Sequence, residues 1–166
     1  MRIKPIYVPN NVELEVIGNK IIAKGPKGTL EKEIKGRKVK ITIENKTVNV
    51  ESDDKAMINT TKAIIANMIK GVLNGYEKKL IIRYSHFPIK VSFKEGFLFI
   101  ENFLGEKRPR KAKIPTNVNV KIGNNEVILE SVDKEAIGQA YANIRTAVKI
   151  KEKDIRIFQD GIYLAE

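Results

Sequence analysis

Five cationic side chains, Lys107, Arg108, Arg110, Lys111 and Lys113, fall within seven residues that contain no acid. Pro109 stands among them, fixing its own φ and removing a backbone donor. An apolar run, Phe97-Leu98-Phe99-Ile100, comes shortly before. The pattern reads as a strand leading into a basic, exposed connection. Charges of one sign at this density repel one another unless an anion lies against them. The stretch is therefore either a solvated hairpin tip or a contact for a polyanion. A second basic stretch follows, in which Lys149, Lys151 and Lys153 alternate, so that an extended segment lines them on one side. Arg156, Gln159, Gly161 and Tyr163 come next, and Asp160-Gly161 reads as a turn. Arginine offers phosphate a bidentate fork and lysine a point charge. Phe158 and Tyr163 either stack on bases or pack the tail onto its domain, and packing is the commoner use of aromatics.

Other chemistry finds little support. The single histidine, His86, has no cysteine or second histidine to form a metal-ligand spacing. Most acids alternate along strands or sit where helices begin, which are solvated roles. Gly25-Pro26-Lys27-Gly28 is only superficially a phosphate loop, because it lacks Gly-x-x-x-x-Gly-Lys-Ser/Thr and precedes a strand. We expect no catalytic site, no metal and no cofactor. An enzyme built around His86 is a weak third reading, tested by replacing that residue.

Composition sets the bounds. The 166 residues carry 31 Lys plus Arg against 20 Asp plus Glu, a net charge of +11, which implies an acidic partner. Nucleic acid comes first and an anionic membrane surface second. With 42% hydrophobic residues the chain can build a core. No run reaches the length of a membrane span, and residues 1–9 lack the apolar core of a signal peptide. The absence of cysteine rules out a disulfide framework and fits a reducing, cytoplasmic setting.

The elements that must position the basic residues come as a repeat. Val12, Leu14 and Val16 alternate with acids, and Gly18-Asn19 turns the chain into Ile21 to Ala23. Residues 30–34 form a weaker strand, and Val39, Ile41 and Ile43 alternate with Lys38, Lys40 and Thr42 before Val48 and Val50. Met57, Ile58, Thr61, Ile64, Ile65, Met68, Ile69 and Val72 then fall at helical spacing, with Ser52 as the expected N-cap and Gly71 or Gly75 as the stop. The order recurs through Ile89 to Phe93, Phe97 to Ile100, Val118 to Ile122 and 126–130. A second helix starts near Ser131 and carries Ile137, Tyr141, Ile144 and Val148. Glu51-Ser52-Asp53-Asp54-Lys55 lies over Glu130-Ser131-Val132-Asp133-Lys134, and Gly25 to Gly28 over Asn102 to Gly105. The expected fold is α+β, two tandem copies of a small antiparallel sheet covered by one helix, over residues 1–83 and 84–166. Residues 80–88 read as a strand or stiff link between them. The basic connection elaborates a plain Gly-Pro-Lys-Gly turn of the first copy. The first copy has the larger net charge, +8 (17 cationic residues less 9 acids) against +3 (14 less 11), but scattered along strands. The second concentrates its charge and is the better dock. With no groove-reading motif, structured RNA fits better than duplex DNA.

On the tandem repeat, Gly25-Pro26-Lys27-Gly28, Asn102-Phe103-Leu104-Gly105-Glu106-Lys107 and Lys153-Asp154-Ile155-Arg156-Ile157-Phe158-Gln159-Asp160-Gly161-Ile162-Tyr163, the whole chain resembles a known family. It is similar to the sixth protein of the large ribosomal subunit, in its archaeal and eukaryotic form. The Tyr-Lys-Gly-Lys-Gly-rich tail of the bacterial branch is absent. The resemblance implies a non-catalytic structural constituent of the large subunit, without a cofactor. It implies binding to large-subunit (23S-type) rRNA, chiefly by the second domain, near the sarcin–ricin loop and the translation-factor site. Neighbouring ribosomal proteins and translation factors would lie nearby, in the cytoplasm and away from any membrane. Lys107, Arg108, Arg110, Lys111, Lys113, Arg156 and the Gln159 to Tyr163 tail become rRNA contacts by this carry-over, and the basic run Lys149, Lys151 and Lys153 joins them. A free-standing RNA-binding or chaperone-like module is the competing reading. It would bind many RNAs alike, with a steep salt slope.

Overall fold

The computed structural model describes residues 5–35, 39–84 and 87–165. Lys38, His86 and the first four residues of the leading segment, all used above, lie outside the described residues. The chain divides into two compact units, Met1–Gly75 with Val132–Lys134, and Tyr76–Ser131 with Glu135–Glu166.

Unit 1 holds β1 (Ile6–Tyr7), β2 (Glu13–Ile17), β3 (Lys20–Gly25), β4 (Gly28–Glu33), β5 (Lys40–Glu44), β6 (Thr47–Glu51) and α1 (Lys55–Asn74). Its strands form two antiparallel sheets, ordered β1-β6-β5 and β2-β3-β4. The alternation read from sequence fixes which side faces in: Ile21, Ala23 and Leu30 are buried while Lys20, Lys24 and Glu31 are exposed. Helix α1 buries Ile58, Thr61, Ile65, Met68, Ile69 and Val72, the expected stripe. Its cap differs from expectation. The first helical residue is Lys55, so Asp54 occupies the extended cap position and its carboxylate accepts from the Ala56 amide at 2.9 Å. Ser52 instead accepts from the Asp54 amide at 3.3 Å. Gly75 ends the helix at φ +75, donating to the Gly71 carbonyl.

The Gly25 to Gly28 turn acts through packing. A Cβ on Gly25 would stand 2.6 Å from the Val72 carbonyl oxygen, so only glycine lets β3 approach the helix this closely. The Lys27 amide donates to that same carbonyl at 2.9 Å, satisfying an acceptor that the end of α1 leaves open.

Unit 2 holds β7 (Tyr76–Arg83), β8 (Lys90–Lys94), β9 (Phe97–Glu101), β10 (Arg110–Lys113), β11 (Asn119–Gly123), β12 (Glu126–Ser131), α2 (Lys134–Ala147) and β13 (Gly161–Leu164). Its sheets run β11-β12-β7-β13 and β8-β9-β10. Strand order thus repeats: β7-β12-β11 matches β1-β6-β5, β8-β9-β10 matches β2-β3-β4, and β13 is added on the outer edge of β7. Each unit is α+β, with its strands shared between two small sheets. The core of unit 2 gathers Leu80, Ile82, Leu98, Ile100, Phe103, Leu129, Ile137, Ile144 and Ile162. Of the stretch expected to link the copies, Leu80 to Arg83 belong to strand β7, which pairs with β12 on one side and β13 on the other. The compact units therefore divide after Gly75, where α1 ends, and not at the expected 83/84.

Candidate nucleic-acid interface

The basic stretch has two parts with different local causes. Between β9 and β10 the chain runs through Asn102 to Pro109, where β3 and β4 are joined by two residues. Asn102, Leu104 and Gly105 take positive φ of +60, +55 and +75, which turns the chain sharply enough to bury Phe103. The Asn102 side chain donates to the Pro88 carbonyl at 3.0 Å. Lys107 and Arg108 are exposed at the tip. From Arg110 onward the chain is no longer a loop. Arg110, Ala112 and Ile114 alternate toward the interior, and β10 pairs with β9 in the register Arg110↔Ile100 to Lys113↔Phe97. Sequence reading missed this strand because charge masked a short alternation. The consequence is that the cluster splits. Lys111 and Lys113 stand exposed on the outer sheet face, and Arg110 turns inward.

Arg110 is committed to the fold. Its guanidinium donates to both carboxylate oxygens of Glu106, at 3.0 and 2.6 Å, and to the carbonyls of Ala147 and Lys149, each at 2.9 Å. It also stacks over the Phe103 ring at 4.5 Å. Those two carbonyls lie at the C-terminal end of α2, where open acceptors and the helix dipole favour a cation. One arginine therefore ties the loop to the helix end and to the start of the tail, which brings Lys149 beside the loop. The hydrogen bonds from Arg110 hold the Glu106 carboxyl below its ordinary value.

The tail also departs from expectation. Glu152 takes φ +59 and the chain bends, so Lys149, Lys151 and Lys153 are exposed but not ranked along an extended segment. The turn falls at Asp154, whose carbonyl accepts from the Ile157 and Phe158 amides at 3.1 and 2.8 Å. Asp160-Gly161 is instead buried, at the start of β13. Arg156 is highly exposed and bridges Asp154 through Nε and Nη2, at 3.2 and 3.1 Å. Those bonds keep the Asp154 carboxyl below its usual value. Lys153 lies over Phe158 at 4.9 Å. Gln159 donates to the Arg156 carbonyl at 3.2 Å, and its own carbonyl accepts from the Tyr163 hydroxyl at 2.8 Å. Arg145 lies over the Tyr163 ring at 4.9 Å and donates to the Ile162 carbonyl. Gly161 and Tyr163 pair with Arg83 and Ile81 of β7. Both aromatics are half-buried, each with a cation over its ring.

An open basin of about 1120 Å³ lies on this edge of unit 2. Lys79, Arg83, Tyr84, Arg156, Gln159 and Tyr163 are among the residues that line it. Lys79, Ile81 and Arg83 share one face of β7, with Lys79 held 2.9 Å from the Glu126 carboxylate. Sequence reading passed over Arg83 and Tyr84 because residues 80–88 looked like a link, and Lys79 stands just before that stretch. The period-two placement of Lys79 and Arg83 was the available signal. Among the described residues no group of three His, Cys, Asp or Glu side chains could hold a metal ion, and no helix is long and apolar enough to cross a membrane.

The arrangement offers a tip (Lys107, Arg108), a sheet face (Lys111, Lys113) and a bent tail (Lys149, Lys151, Lys153, Arg156). It presents exposed cations on a fixed frame and no convergent acid and base. The model of the family "Ribosomal protein L6" matches residues 8–75 and 87–161, one stretch in each half. The chain is 47% identical to the large ribosomal subunit protein uL6 of Methanococcus vannielii, over 97% of this chain and 91% of that protein. It is 41% identical to uL6 of Methanothrix thermoacetophila, covering 99% and 96%. It is 43% identical to uL6 of Methanobrevibacter smithii, covering 96% and 92%. The chain belongs to the ribosomal protein L6 family.

Proposed function

We propose that the chain, as a structural, non-enzymatic constituent of the large ribosomal subunit, binds 23S-type rRNA mainly through unit 2. The site lies near the sarcin–ricin loop and the translation-factor region, with neighbouring ribosomal proteins and translation factors close by. The observation that carries this reading is the Arg110 clamp, which holds the loop and the head of the tail as one basic surface. Lys107, Arg108, Lys111, Lys113, Lys149, Lys151, Lys153 and Arg156 meet phosphates, and Gln159 adds a polar contact at the basin. Arg110, Gly161 and Tyr163 serve by shaping that surface. The stripes of α1 and α2 are spent in the cores, so neither helix is free to read a groove on that face. RNA is therefore met through phosphate, 2′-hydroxyl and shape.

The test is incorporation. A variant with Lys107, Arg108, Lys151 and Lys153 changed to alanine keeps the circular dichroism of the parent but is lost from the large-subunit fraction of a sucrose gradient. Normal incorporation of that variant refutes the reading.

A further inference from the structure

The two units carry the same three-stranded sheet with opposite outer surfaces. In unit 1 the outer face of β2-β3-β4 shows Glu13 and Glu15 on one edge strand and Glu31 and Glu33 on the other. Lys20 and Lys24 stand between them and are taken up in ion pairs, with Glu31 at 3.0 Å and Glu15 at 4.0 Å. The matching face of β8-β9-β10 reverses this pattern. Lys90 and Lys94 occupy one edge and Lys111 and Lys113 the other, with Glu101 the one acid among them. The middle strand carries Phe97 and Phe99. Register places Phe97 between Lys94 and Lys113, and Phe99 between Ser92 and Lys111.

A phenylalanine pair on a sheet normally faces the core, and here the core side of β9 is already filled by Leu98 and Ile100, both fully buried. Phe97 is 37% exposed, and its ring centre lies 6.5 Å from that of Phe99 at 50°. Lys111 reaches over the Phe99 ring at 5.5 Å. Two neighbouring rings on one face of a strand, edged by cations, suit a ligand with flat faces and regular negative charge. An unpaired stretch of RNA has both, its bases stacking on the rings and its phosphates meeting the lysines. An acidic protein segment would satisfy the charge and leave the rings unused.

We propose that the outer face of β8-β9-β10 is a stacking platform for unpaired RNA nucleotides, with Phe97 and Phe99 under the bases and Lys90, Lys94, Lys111 and Lys113 along the backbone. This deepens the reading above and rests on it for the identity of the RNA. The acidic face of unit 1 repels such a ligand, so the duplication yields one platform and not two.

The probes are a ten-nucleotide uridine strand, the same strand with abasic sites and a poly-glutamate peptide, each bound to the full chain and followed by fluorescence anisotropy. The double variant Phe97→Leu, Phe99→Leu keeps the apolar bulk and removes the flat faces. It binds the uridine strand about ten-fold or more weakly, since two stacked bases together are worth at least that order. The abasic strand binds the parent with a similar loss, which reads the same contact without altering the protein. Equal binding of variant and parent, or of abasic and normal strand, overturns the platform. So does poly-glutamate that competes as well as RNA at equal charge. Preference for large-subunit rRNA over other RNAs is measured separately, and its absence would strike the ribosomal reading and the RNA's identity together, while the strand measurements still decide the stacking.

Discussion

Arg110 looks by sequence like one more phosphate ligand, and the structure makes it the clamp of the loop. Its replacement by lysine separates the two roles, because lysine keeps the charge and loses the fork. The guanidinium makes four hydrogen bonds and one ring contact. The bond to the Ala147 carbonyl is partly buried, and a hydrogen bond from a charged donor contributes about 1.5–3 kcal/mol. The Glu106 pair is solvent-accessible and adds under about 1 kcal/mol. Stacking on Phe103 adds about 0.5–1 kcal/mol. These share one side chain and do not sum, so Arg110→Lys should cost about 1–3 kcal/mol and Arg110→Ala slightly more. For a domain of this size each kcal/mol moves the melting temperature by roughly 4–8 °C. Thermal unfolding followed by circular dichroism checks this, with Arg108→Lys as the control that should melt within about 0.5 kcal/mol of the parent. RNA affinity at low salt should fall less for Arg110→Lys than for Arg108→Ala. The reasoning is refuted if Arg110→Lys melts with the parent, or if the control loses as much stability.

Further outcomes follow from the same geometry. Gly25→Ala forces a Cβ to 2.6 Å from the Val72 carbonyl and should destabilise unit 1 by about 1–3 kcal/mol, seen as a lower denaturant midpoint. Asp54→Ala should cost about 1 kcal/mol, and Ser52→Ala clearly less, because Asp54 holds the cap; equal losses would restore Ser52 to that role. Each of Lys107→Ala and Arg108→Ala should lower the slope of log K against log salt by about 0.7–0.9, the signature of one lost phosphate contact. Glu106 has its folded pKa lowered beneath the ordinary 4.5 by Arg110. Its contribution is present above that ordinary value and is lost as pH falls through the lower folded value. Carboxyl-carbon NMR titration should show Glu106 protonating below 4.5 in the parent and nearer 4.5 in Arg110→Ala, with the loop loosening over that window.

Period and punctuation made most of the fold legible. Alternation located β2, β5, β8 and β11, turn signals located the returns β3, β9 and β12, and the 3.6-residue stripe located both helices. The repeat was visible because duplicated turns, such as Glu51 to Lys55 against Glu130 to Lys134, keep their residue types. Three features stayed hidden for physical reasons. Strand β10 is four residues long and three of them are cationic, so its pattern looked like a charged loop. Strand β7 passes from charged residues, Glu77 to Lys79, into a short apolar run, Leu80-Ile81-Ile82, so its alternation was easily taken for a link. The bend at Glu152 needs a positive φ on a residue that does not advertise one. At the site, residue type alone picked out cations that the structure leaves exposed, among them Lys107, Arg108, Lys111 and Lys113. It could not show that Arg110 spends its fork on Glu106 and two carbonyls, since those partners lie 4, 37 and 39 positions away.

Ultraviolet crosslinking in cells, with sequencing of the attached RNA and mass spectrometry of the attached peptide, tests the central claim most directly. The account predicts crosslinks gathered at one place in large-subunit rRNA, through peptides spanning 107–113 or 149–163. Crosslinks spread over messenger and transfer RNAs, or carried chiefly by unit 1, would contradict it and favour a free-standing RNA-binding module.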